Sequence, residues 1–173
     1  MMTLLLAPLP MLAVLLLVLV ATVPWGGPDW LEMALALLPM GAIYFWSLRR
    51  PQLMPALLVF LCGLTLDVLT YGPLGIWSCS ALAAALAGRL IRRARPGIGW
   101  LAGAGCTALV LTLSAAIAAG LISLAAWHLV PLGSWTQSLL AACLGFPILA
   151  GLLSRLDAAW PLEDERSLFL RGD

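Results

Sequence analysis

Long apolar runs alternate along this chain with short breaks of proline, glycine and charge. The runs are 4–23, 30–48, 53–70, 75–91, 101–129 and 135–154. About 20 mostly apolar residues read as one membrane-spanning helix. The pattern therefore predicts an all-α integral membrane protein, with six transmembrane helices in a compact bundle over residues 1–155. Residues 156–173 are expected to form a short charged cytoplasmic tail.

The breaks carry local signals of their own. Pro24-Trp25-Gly26-Gly27-Pro28-Asp29 reads as a turn, Arg49-Arg50-Pro51 ends the second run, and Pro131-Leu132-Gly133-Ser134 precedes the sixth. Asp29 and Glu32 suit a helix N-terminus. Pro8 and Pro10 fall in the opening turns of the first run, where a missing N–H is tolerated, and Pro39 is expected to kink the second. Met1 to Val23 carries no charge, so this run is read as a retained span and not as a cleavable leader. The fourth run is rich in small residues. Ser80, Ala84 and Gly88 recur at helical spacing, which lets a neighbouring backbone approach closely. Only Tyr71-Gly72-Pro73-Leu74-Gly75 separates runs three and four, so their helices must be antiparallel neighbours.

Composition fits this class. The chain is 63% hydrophobic and 10% charged, with mean hydropathy +1.06, against about 45–50% apolar and about 25% charged in a soluble domain. The basic residues are all arginine. With six alternating spans they fall on one face, in the loops after runs two and four and in the tail. Loop arginines favour the cytoplasmic side, so both termini are expected there. The cluster from Arg89 to Arg95 is either this topology signal alone or also a surface for anionic headgroups or a partner.

Candidate chemistry narrows to one stretch, Phe60 to Ile76, FLCGLTLDVLTYGPLGI. A carboxylate in an apolar span costs roughly 2.5 to 3.5 kcal/mol on insertion scales and marks a site that needs a partner. Counted from Leu53, Asp67 lies about 21 Å along its helix, towards the outer boundary. Phe60, Gly63, Leu64, Thr70 and Tyr71 are placed on its face by the three-or-four spacing. Three roles stay open for Asp67: an acceptor for N–H groups of the turn and the fourth helix, a contact with another protein, or an ion-coupling carboxylate. Arg89 is roughly 20 Å away by helical rise and cannot pair with it inside the hairpin.

His128 is expected at an interface beside Trp127. Cys62, Cys79, Cys106 and Cys143 are dispersed through apolar runs as small hydrophobes, without a metal-ligand spacing. No serine–histidine–acid set, paired intramembrane carboxylates or phosphate loop is present. A non-enzymatic protein without cofactor, metal or nucleic acid is expected.

Arg50-Pro51, Pro55, Phe60-Leu61-Cys62-Gly63-Leu64, Asp67-Val68-Leu69 and Gly72-Pro73-Leu74-Gly75 together resemble the rod shape-determining protein MreD family of bacteria. The resemblance covers about thirty residues, from Arg49 to Trp77. It implies a multi-pass subunit of the bacterial inner membrane that supports rod shape and lateral peptidoglycan synthesis. It implies direct binding of MreC, a bitopic scaffold, and through it MreB, RodA and the transpeptidase of RodA. It also implies a fold similar to the substrate-binding subunit of energy-coupling-factor transporters. A small-molecule-binding subunit of a transporter is thus the alternative. Structural or partner-contact roles fall on Gly63, Asp67, Tyr71, Gly72, Pro73, Gly75, Arg49 and Arg50, with membrane lipids as surroundings.

Overall fold

The computed structural model describes residues 9–71, 73–94, 100–127 and 132–158. Among them the chain is all-α: α1 (Leu9–Thr22), α2 (Asp29–Arg49), a 3-10 turn (Pro51–Leu53), α3 (Ala56–Leu69), α4 (Ile76–Ala94), α5 (Trp100–Ala126) and α6 (Leu132–Ala158). Each helix lies within or close to one apolar run. Proline starts two of them from outside, since Pro28 and Pro55 hold extended backbone at the N-caps of α2 and α3. α2 continues through Pro39 and α6 through Pro147.

Between Glu32 and Ser47 α2 is apolar on all sides, and such a helix belongs in an interior. It packs against α1, α4, α5 and α6, while α4 packs against α2, α3 and α5. These two helices form the centre of the bundle, with α1 and α3 on one side and α5 and α6 on the other. Leu37, Met40, Ile43, Tyr44 and Trp46 of α2 are almost fully buried. The small face of α4 makes close contact possible. A Cβ at Gly88 would lie 2.8 Å from the Tyr44 carbonyl oxygen and 3.2 Å from the Leu48 nitrogen. Ser80 Oγ, on the same helix, donates to the Ser114 carbonyl of α5 at 3.3 Å.

The expectation that all six helices cross a membrane is overturned. Among the described residues, three segments are long and apolar enough: Asp29–Arg49, Gly105–Leu124 and Trp135–Ala158. α3 has 14 residues, which rise only about 21 Å at about 1.5 Å each, short of a core about 30 Å thick. The described part of α1 has the same length. α4 is longer, but Arg89, Arg92 and Arg93 occupy its last turns. The third run looked long enough because it counted Leu53, Met54 and Pro55, which precede α3, as helix. Apolar residues also pack a bundle interior, so such a run does not by itself mean a crossing.

The path of the chain accommodates three crossings. α2 and α6 end at the same pole, where their last turns are joined by ion pairs, and α4 ends there too. The α3–α4 hairpin leaves this pole and returns to it. α2, α5 and α6 alternate in direction, and the tip of the hairpin lies towards the pole where α2 begins.

Gly88→Ala is expected to lower stability by about 1–3 kcal/mol through overpacking against backbone that cannot give way. Gly120, where a Cβ meets open space, serves as the control, and Gly120→Ala is expected to be neutral or mildly stabilising. Thermal unfolding in detergent followed by circular dichroism reads both.

Candidate functional site: the buried carboxylate of the hairpin

α3 turns a face of Val59, Cys62, Gly63, Leu66 and Asp67 inward, the spacing of one helical stripe. Phe60, Thr70 and Tyr71, expected on the Asp67 face, are exposed. Leu64 is half-buried. Asp67 thus lies at one edge of the inward stripe, and Phe60 and Tyr71 lie beyond that edge.

Gly63 sets how near α4 can come. A Cβ there would lie 2.5 Å from Ser78 Cα and 2.8 Å from the Ser78 nitrogen, so only glycine fits between these backbones. One turn later Asp67 reaches the N-terminus of α4. Its Oδ1 accepts from the Trp77 N–H at 2.8 Å, and its Oδ2 accepts from the Gly75 N–H at 3.0 Å, the Ser78 N–H at 3.2 Å and the Ser78 hydroxyl at 2.8 Å.

A helix begins with four N–H groups that lack intrahelical partners, commonly met in part by an N-cap serine or aspartate. Here the residue before α4 is Gly75, at φ +103°. That backbone needs glycine, and glycine has no capping side chain. The carboxylate therefore comes from α3, eight residues earlier in the chain. Its negative charge also opposes the positive end of the α4 dipole. Asp67 is fully buried, and its four hydrogen bonds supply what burial of a charge demands. Among the described residues no other acid, histidine or cysteine gathers with it into a group of three that could hold a metal. Of the three roles open in the sequence, the first, as acceptor, is the arrangement present.

Beyond the clamp the chain turns through two exposed residues, Pro73 and Leu74. Gly72 lies outside the described residues, as do Arg95, His128 and the tail from residue 159. Tyr71 has φ +52° and Trp127, after α5, has φ +56°. Left-handed backbone at a residue other than glycine costs of the order of 1–3 kcal/mol.

Arg49 and Arg50 do not approach the carboxylate clamp. They lie at the opposite pole, where Arg49 Nη1 donates to Asp157 Oδ2 at 2.9 Å and Arg50 Nε to Asp157 Oδ1 at 2.6 Å. Arg49 also lies over the Phe45 ring, 4.8 Å from its centroid. Arg92 donates to the carbonyls of Leu48 and Arg49, and so caps the end of α2 from α4. Arg89 donates to the Met54 carbonyl, just before α3. These arginines tie the ends of α2, α4 and α6 to the start of the hairpin. Asp157, assigned to the tail by the sequence reading, is a residue that reading missed. α6 runs on to Ala158, and the spacing of Asp157 from the end of the apolar run was the available signal.

Trp46 Nε1, Ser47 Oγ, Ser114 Oγ and Trp135 Nε1 are buried without a hydrogen-bond partner among the described residues. Ser47 is near the arginine pole and Trp135 near the opposite one, so these groups do not converge on one ligand position.

No family model, curated protein or solved structure matches this chain.

Asp67→Asn retains one acceptor oxygen but presents an amide to at least one N–H, a loss of about 1–3 kcal/mol. Asp67→Leu leaves all four donors unmet and is expected to cost about 4 kcal/mol or more. Reversible unfolding in mixed micelles ranks the two variants. Equal losses would mean that the charge, and not the acceptor oxygens, holds the hairpin.

Proposed function

We propose that this protein is a non-enzymatic membrane scaffold subunit of the MreD kind, which binds an MreC-like single-pass partner and supports bacterial rod shape and lateral peptidoglycan synthesis. The observation that carries this reading is the use made of the resembling stretch. Gly63, Asp67 and Gly75 are all spent on fixing one hairpin, and the four hydrogen bonds that the carboxylate accepts all come from the turn and the start of α4. A rigid element with a free outer side suits a protein contact better than catalysis.

The outer side of α3 is apolar and uncovered, at Leu57, Leu61 and Val68 above all. It suits an apolar helix of a membrane-anchored partner, bound through side-chain packing. MreB, RodA and its transpeptidase are then reached through that partner. The arginine pole faces the cytoplasm of a bacterial inner membrane, by the bias of arginine towards that side.

Co-expression with a single-pass MreC-like scaffold, followed by purification through a tag on that scaffold, is expected to yield a stoichiometric complex. Leu57→Trp with Leu61→Trp is expected to weaken the complex about tenfold, equivalent to about 1.4 kcal/mol, with an unchanged melting midpoint. A small ligand or an ATPase-linked subunit in place of the scaffold would overturn the proposal in favour of a transport component.

A further inference from the structure

Two residues at the arginine-free pole share an unusual combination. Tyr71 follows the C-cap of α3 and Trp127 follows α5, both in left-handed backbone. This position after a helix normally belongs to glycine or asparagine, because a Cβ is disfavoured there. Tyr71 is 97% exposed and Trp127 is 92% exposed. Neither side chain therefore gains packing within the chain that would offset the strained backbone.

We propose that Tyr71 and Trp127 are interfacial anchors, seated in the headgroup region of a lipid bilayer at the pole opposite the arginines. The proposal rests on the membrane reading of the fold. Amphipathic aromatic rings favour the membrane–water boundary, where one part of the ring is apolar and the other meets water. The two residues close α3 and α5, which lie on opposite sides of the central α2–α4 pair. A lipid boundary reaches both sides at once, whereas a single docked protein would favour one patch. Their neighbours are suited to acyl chains: Val68, Leu69 and Leu74 beside Tyr71, and Leu124 beside Trp127, are exposed. Trp25, in the remaining loop at this pole, is also exposed, though its Nε1 donates to the Val20 carbonyl. The six described arginines all occupy the last turns of α2, α4 and α6 or the residue just beyond, at the other pole.

The chain has only two tyrosines, and Tyr44 is buried, so fluorotyrosine labelling supplies its own control. The full chain is reconstituted in phosphatidylethanolamine–phosphatidylglycerol vesicles and observed by fluorine NMR. One sample carries a headgroup-labelled spin-label lipid, another a spin label deep in the acyl chain, and a third an aqueous gadolinium chelate. The Tyr71 resonance is expected to lose most of its intensity to the headgroup label and less to either other probe, while Tyr44 keeps its intensity with the chelate. A fluorotryptophan sample, in which Trp127 is assigned by the peak missing from Trp127→Phe, is expected to behave as Tyr71 does. Full bleaching of Tyr71 and Trp127 by the chelate, with no effect of the headgroup label, would overturn the anchors while leaving the membrane reading intact. Failure of the protein to float with the vesicles would overturn both.

Discussion

A fully buried carboxylate must be surrounded by donors, and this requirement organises the hairpin. Asp67 draws three backbone N–H groups and one hydroxyl from the start of α4. To do so it needs α4 at backbone contact, which Gly63 alone permits. It also needs a chain reversal ending in left-handed backbone, which Gly75 provides. Each of the three residues is useful only because the other two are present. The acid that looks most like a reactive group is thus fully occupied in joining two helices.

The two poles of the bundle use different chemistry for related problems. At one, an anion meets the N–H groups that open a helix. At the other, Arg92 meets the carbonyls that close α2, and Arg49 and Arg50 hold the last turn of α6 through Asp157. Cation at a C-terminus and anion at an N-terminus are both favoured by the helix dipole. Arg49 is exposed, and an ion pair with an exposed member is worth little by itself. The joint effect of these contacts is to fix where α2, α4 and α6 end relative to one another.

The helical runs and the antiparallel hairpin were legible in the sequence, because apolar stretches broken by Pro-Gly turns leave few alternatives. The acceptor role of Asp67 was legible as one of three readings, from the nearness of the Tyr71–Gly75 turn. The number of crossings was not legible. An apolar residue in the run 53–70 has the same composition whether it meets lipid or a neighbouring helix, and Pro55 hid the true start of α3. Which edge of α3 faces inward was not legible, because spacing alone gives residues that share a face, without saying which edge α4 covers. Asp157 was missed because a charge after an apolar run reads as tail, although the arginines that receive it lie 107 and 108 positions away.

The separation of those contacts along the chain has a consequence for how the protein is made. The carboxylate clamp joins residues only 8 to 11 positions apart, and the entropic cost of closing a loop rises with its length. The hairpin can form once Ser78 has been synthesised, before α5 and α6 exist. The Asp157 ion pairs close only after α6 has been added. The nascent chain therefore carries a finished corner from an early stage, and the last turn of α6 fastens the described bundle shut.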